Sequence, residues 1–235
     1  MHQNRISILS TRPLDDSLIN EVKKAGIDID VLSFIETAPI ESMEVQQEIE
    51  QALLLSATVA FTSMNAVEAV ANHLDDEQPD WRIYCTGTTT SKLVKKYFGE
   101  ETIAGTADSA AELAALIVEE SYDDELIFFC GDLRRDELPD ILRSNKIEVT
   151  EIIVYQTIAV PHKIHKQYQG ILFFSPSAVQ SFFQTNIVAE QTILLAIGNT
   201  TANEIKKYSK NKIIISDEPG KASLVRKMME YFGDA

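Results

Sequence analysis

The sequence is short of sulfur, glycine, proline and cations, and each shortage closes off a class of protein. Two cysteines, Cys85 and Cys130, are too few for a disulfide frame or a cysteine-rich metal cluster. Each ends a strand-like apolar run, which predicts buried free thiols in a reducing compartment. Nine glycines and seven prolines in 235 residues exclude collagen-like and low-complexity chains. No uninterrupted apolar stretch approaches the roughly 18 residues of a membrane span. The nearest candidates, residues 52–61 and 152–160, are broken by Ser56 and Thr58 and by Tyr155, Gln156 and Thr157. The opening residues run into Ile6-Ser-Ile-Leu9 without an apolar signal segment, so a cytoplasmic location is expected. Lys and Arg number 21 against 36 Asp and Glu, a net charge of -15 with a pI near 4.7. That balance disfavours bulk attraction to nucleic acid or to an anionic membrane, so any anionic ligand must be held locally. His2, His73, His162 and His165 lack a metal-ligand spacing, and no metal is expected. Glycine-rich phosphate loops, a dinucleotide fingerprint and a serine-hydrolase elbow are missing as well.

What is present is alternation. Short apolar runs follow amphipathic stretches of helical length, the pattern of parallel strands joined by helical crossovers. Strands are predicted at 6–10, 27–32, 58–62, 82–85, 102–104, 126–130, 148–155, 170–174, 193–197 and 212–216. Helices are predicted to begin at Asp15 or Asp16, Ser42, Ser63, Thr88 or Thr89, Ser109, Asp136, Ser177, Thr200 and Ser223, where a side-chain oxygen can take up a free N–H.

Compared with itself at a shift of about half its length, the chain is internally duplicated. Phe61-Thr-Ser63 falls on Phe173-Phe-Ser175, Gly87-Thr-Thr-Thr90 on Gly198-Asn-Thr-Thr201, and residues 107–110 on 218–221. The first strand–helix–strand has no place in the first copy and is needed to complete the second. The predicted layout is therefore a discontinuous domain of residues 1–34 plus 160–235 with an inserted domain of residues 39–153. Linkers at 32–38 and 154–160 stop at Pro39 and Pro161. The expected fold is α/β: two similar flavodoxin-like parallel-sheet domains joined by a two-stranded β hinge.

In such sheets ligands sit beyond the carboxyl ends of the strands, beside helix starts. Thr62, Ser63, Thr88, Thr89, Ser175, Ser177, Thr200 and Thr201 all fall there. Any one of them serves equally well as a helix cap, but matching sets in both halves would line a cleft with donors for carboxylates. Arg12 follows the first strand and is the best-placed cation. Arg134 and Arg135 are either ligands or solvated surface residues. Tyr155, in the second linker, either packs for its area or faces the cleft.

These residues also carry a resemblance. Ser10-Thr-Arg-Pro13, Phe61-Thr-Ser63-x-Asn-Ala-Val67, Gly87-x-Thr-Thr90, Val154-Tyr-Gln-Thr157, Phe173-Phe-Ser-Pro-Ser177 and Ala196-Ile-Gly-Asn-Thr-Thr-Ala202, in that order, resemble the uroporphyrinogen-III synthase family along the whole chain. Met64 and Cys130-Gly-Asp-Leu-Arg134 depart from the family pattern. The resemblance implies a cofactor-free lyase that cyclises hydroxymethylbilane, inverts its ring D and releases water in tetrapyrrole (heme) biosynthesis; a monomer is expected, because such a cleft needs only one chain. It implies that Tyr155 assists departure of the hydroxyl and that Arg12 and the hydroxyl residues above bind the acetate and propionate arms. The residues taken without the resemblance leave two rivals open: a binding module for a small anion, and a flavodoxin-like protein holding a phosphorylated cofactor.

Overall fold

The structure, a computed structural model, describes residues 6–74, 78–120, 124–218 and 220–233. His2, and residue 219 within the 218–221 turn, lie outside the described residues. The chain divides into two compact units, a split unit of Met1–Glu36 with Ile158–Ala235 and an inserted unit of Thr37–Thr157.

The chain opens with β1 (Ser7–Ser10), α1 (Asp16–Lys24) and β2 (Asp28–Val31), then β3 (Ile35–Pro39) crosses the unit boundary. The inserted unit continues with α2 (Met43–Leu53), β4 (Ala57–Phe61), α3 (Met64–Ala71), β5 (Trp81–Thr86), α4 (Thr88–Phe98), β6 (Ile103–Ala107), α5 (Ala110–Glu120), β7 (Glu125–Gly131) and α6 (Glu137–Ser144). The strand β8 (Glu148–Ala159) leads back out. The split unit closes with β9 (Gly170–Phe173), α7 (Pro176–Phe183), β10 (Ile193–Ala196), α8 (Asn199–Ile205), β11 (Ile213–Ile215) and α9 (Lys221–Gly233).

The split unit holds a parallel sheet in the order β2-β1-β9-β10-β11. Its central strands β1 and β9 are buried along their whole length, as strands covered by helices on both faces must be. Successive residues point to opposite faces. Ile8, Leu172 and Leu195 therefore pack with Val22 of α1 and Leu224, Val225 and Met228 of α9, while Leu9, Ile171, Phe173 and Leu194 pack with α7 and α8.

The inserted sheet runs β3-β8-β7-β4-β5-β6. All its pairs from β8 to β6 are parallel. Val59, Phe61, Ile83, Cys85 and Phe129 face α2, α3 and α4; Ala60, Tyr84, Phe128 and Cys130 face α5 and α6. Both cysteines are free and buried. Beside β8, β3 runs antiparallel: the Ile40 N–H donates to the Val154 carbonyl (2.9 Å) and the Val160 N–H to that of Phe34 (3.0 Å). This two-stranded ribbon joins the units.

Counted from β7, the inserted order β8-β7-β4-β5-β6 repeats β2-β1-β9-β10-β11. The two sheets are thus circular permutations of one flavodoxin-like arrangement. No helix among the described residues is long and apolar enough to cross a membrane.

Candidate functional site

Each sheet has one place where the strand order reverses, and there the loops diverge to leave a crevice at the carboxyl ends. In the split unit it lies between β1 and β9, in the inserted unit between β7 and β4. The residues singled out in the sequence can be located against these two points.

In the split unit the turn after β1 is tightly made. Thr11 is fully buried and its N–H and hydroxyl both donate to the Leu172 carbonyl of β9 (3.1 and 2.7 Å). The Ser10 hydroxyl donates to the Arg12 carbonyl at 2.6 Å. This pins the backbone and leaves the Arg12 side chain exposed, with no carboxylate paired to it among the described residues. Across the crevice Ser175 caps α7, its oxygen accepting from the Ala178 N–H (3.2 Å) and lying 3.0 Å from the Ser177 hydroxyl. The cap falls two residues earlier than Ser177, because Pro176 has the fixed φ that suits a first helical position. At α8 the N-cap is Gly198 rather than Thr200; Thr200 is exposed and Thr201 buried. The helix α9 likewise starts at Lys221, ahead of Ser223. The Ser216 hydroxyl there donates to the Glu218 carbonyl and meets that of Ser223 (2.8 and 2.7 Å).

In the inserted unit Ser63 caps α3, accepting from the Asn65 N–H at 3.2 Å, and Thr62 is half-buried beside it. The cap of α4 is Gly87, at φ 75°, not Thr88 or Thr89. Glycine adopts that conformation without the cost a side chain would bring. Thr88 and Thr89 follow it on the first turn, both exposed. Gly87, Thr88, Ser91, Thr106, Asp108 and Glu112 line a cavity of 630 Å³ between the starts of α4 and α5. Ser109 caps α5, its Oγ accepting from the Glu112 N–H, and the Glu112 carboxylate reaches back to accept the Asp108 N–H, each 3.2 Å. A hollow of 780 Å³ lies at the opposite, amino edge of the sheet. Its rim sets Asp80, Asp124 and Glu125 against Arg82, the wrong balance for an anion.

Tyr155 belongs to this same carboxyl edge. It is half-buried, packs on the cluster under α2, α3 and α4, and lays its ring over Gly131 at the end of β7. That carries its hydroxyl from β8 toward the β7–β4 crevice. The next cations are engaged elsewhere. Arg134 holds Glu151 and Asp136, and Arg143 donates to Glu151 at 2.8 Å. Burial alone would raise the Glu151 carboxyl, but the two arginines outweigh it and hold it below its ordinary range. Arg135 is exposed and unpaired among the described residues. Burial, with Glu151 nearby, pushes the Cys130 thiol up to about 11, and burial also raises Cys85. Both shifts favour the protonated, less nucleophilic thiol.

The structure thus gathers Thr62, Ser63, Thr88, Thr89 and Tyr155 on one edge, and Arg12, Ser175, Ser177, Thr200 and Thr201 on another, with the Thr201 side chain turned into the fold. The sequence marks Gly131 and Asp132 only as part of a turn that departs from the family pattern, not as residues that hold Tyr155. Their contacts join β7 to β8 across some two dozen residues, and short-range patterns do not register such pairs.

A family model described as uroporphyrinogen-III synthase HemD matches residues 16–226. The porphyrin biosynthesis protein HemD of Ruminiclostridium josui is 24% identical over 245 residues, covering 96% of this chain and 48% of that protein. The chain therefore spans about half the length of this curated relative. Among solved structures, uroporphyrinogen-III synthetase from Helicobacter pylori 26695 aligns with a TM-score of 0.66 at 16% identity, over 97% of this chain and 99% of that one. A mutant uroporphyrinogen III synthase of Thermus thermophilus aligns at 0.60 and 13%, over 96% and 98%. At these identities the likeness to the solved structures is one of fold.

Proposed function

We propose that this chain, which belongs to the uroporphyrinogen-III synthase family, cyclises hydroxymethylbilane to uroporphyrinogen III with inversion of ring D and loss of water. The observation that carries the reading is the family match over residues 16–226. The chemistry asks little of the protein in acids and bases. An electron-rich pyrrole drives off its own hydroxymethyl oxygen, leaving an azafulvenium carbon. A substituted carbon of ring D attacks it to form a spiro intermediate, which fragments and re-closes. The bilane also closes unaided, to the wrong isomer. Catalysis is then mostly orientation, choosing which ring D carbon attacks.

In this reading Tyr155 gives its phenolic proton to the departing oxygen, which leaves as water, and recovers a proton when the closed ring rearomatises. A phenol is a weaker acid than a carboxyl or an imidazolium, so its contribution is modest. Thr62, Ser63, Thr88, Thr89, Ser175, Ser177 and Thr200 bind substrate arms through hydroxyls and first-turn N–H groups, with Thr201 supplying its N–H. Arg12 adds a full charge. The reaction draws on no cofactor, and the chain works as a cytoplasmic monomer; its two reduced, buried thiols suit a reducing compartment.

The test supplies freshly generated hydroxymethylbilane to the purified protein, quenches and oxidises, and separates type I from type III uroporphyrin. Excess type III without added metal or nucleotide is expected; type I alone, from folded protein, overturns the reading.

A further inference from the structure

The pairing of β7 with β8 breaks register at its last step, and Tyr155 stands on the break. Cys130 is opposite Ile153, but Gly131 is opposite Tyr155, so Val154 is an extra residue in β8. In an unbroken ladder Tyr155 would fall one position beyond Gly131 and onto the other face; the bulge turns it over.

Two neighbours make the new placement definite. A Cβ on Gly131 would lie 2.3 Å from Tyr155 Cζ and 2.7 Å from its hydroxyl oxygen, inside any real contact distance. Only a bare backbone leaves room for the ring. Asp132 then fixes the strand on either side of Gln156. Its N–H donates to the Tyr155 carbonyl (3.1 Å), and its carboxylate accepts the Thr157 N–H (2.9 Å). With the Val154 carbonyl bonded to Ile40, backbone groups before, at and beyond Tyr155 are all tied.

We propose that Gly131 and Asp132 are positioning residues that set the Tyr155 hydroxyl for its proton transfer. This rests on the role given to Tyr155 above. Gly131 admits the ring and decides where the hydroxyl points. Asp132 keeps the bulge from relaxing into regular pairing.

The experiment is a double-mutant cycle with a spectroscopic companion. Gly131→Ala is made in the natural chain and in Tyr155→Ala, where no ring remains to be displaced. In the natural chain it lowers kcat for type III product about ten-fold with KM nearly unchanged, below the roughly hundred-fold at which the usual range for a lost proton donor begins, as suits a donor of modest contribution. In the Tyr155→Ala background it changes kcat by less than about two-fold. In protein labelled with ¹³C at the tyrosine ring, the Tyr155 resonance moves in Gly131→Ala without any substrate. Asp132→Ala gives a smaller fall in kcat and faster exchange of the Thr157 amide, both restored by Asp132→Asn, which keeps an acceptor oxygen. Equal losses from Gly131→Ala in both backgrounds, or an unmoved Tyr155 resonance, would overturn the proposal; so would an Asp132→Ala chain with unchanged kcat. If the natural chain makes only type I product, the functional reading fails instead, and the substrate-free resonance still reports whether Gly131 places the ring.

Discussion

The split and inserted units are one five-strand arrangement entered at different points, and they use the turn after the same strand in opposite ways. After β1 of the split unit the backbone is tied to β9 and Arg12 has no ion-pair partner among the described residues. After the corresponding β7, Arg134 is bound to Glu151 and Asp136, and the place near the crevice is taken by a phenol lying over glycine. A repeated framework therefore carries a free charge on one edge and a neutral donor on the other. For a chain of net charge -15 this matters: a local cation and helix starts can hold carboxylates that the protein as a whole repels.

The comparison breaks most readily at the cores. Phe61 and Phe173 occupy equivalent strands, both fully buried among other aromatic rings. Each truncation to alanine should cost about 3–5 kcal/mol in urea unfolding. Costs that differ by more than the spread of such measurements would end the claim of equivalent cores.

Next comes the pair of carboxylates on β2 and β8. The hydrogen bond from Lys166, with one from Tyr168, lowers Asp30, while Arg134 and Arg143 lower Glu151 against its burial. Asp30 is 47% exposed at its side chain and Glu151 only 14%. Glu151→Gln should therefore cost about 2 kcal/mol, and Asp30→Asn less than about 1 kcal/mol because water screens its ion pair. Both carboxylates titrate below their unfolded values. Their stabilisation is whole above a pH of about 4.5 and fades as pH falls through the folded-state values. Acid unfolding should accordingly be shallower in Glu151→Gln; an unchanged acid limb would refute the assignment.

A sharper contrast is Arg12→Ala against Arg134→Ala. The first should raise KM several-fold and shift stability by no more than about 0.5 kcal/mol. The second should lower stability and leave KM nearly unchanged. Kinetics and denaturation on the same preparations separate them, and a shared phenotype would erase the contrast. The smallest effects belong to Thr89→Val and Thr200→Val, each worth about 1 kcal/mol of binding, or a few-fold in KM. A thermal shift in either would mark it as a structural residue instead.

Much of the fold was legible because buried parallel strands announce themselves as apolar runs. The strand β4 was expected within one residue of where it lies, and Ser42 and Ser63 cap the helices assigned to them. The hydroxyl turns after β4 and β9 were visible because Phe61-Thr-Ser63 and Phe173-Phe-Ser175 still match. The kinship of β7 with β1 was not, since Cys130-Gly-Asp shares nothing with Ser10-Thr-Arg; only strand order reveals it. Helix starts were misplaced at Gly87 and Pro176, where glycine or proline geometry displaced a side-chain cap, and at Gly198, whose extended backbone any residue could adopt. Most hidden was the register break at Val154, because a bulge is a property of two strands and leaves no periodic trace in either.

The antiparallel ribbon of β3 and β8 bears on how the chain reaches this state. In the split unit Thr11 must find Leu172, a separation of 161 residues. Closing so long a loop delays folding. The inserted unit carries its own core and, with the ribbon formed, brings Phe34 to Val160. The free chain left to close then shrinks to roughly a quarter, lowering the entropic cost by about 1 kcal/mol. Insertion thus gives an entropic advantage to one order of assembly, in which a folded guest gathers the two pieces of its host.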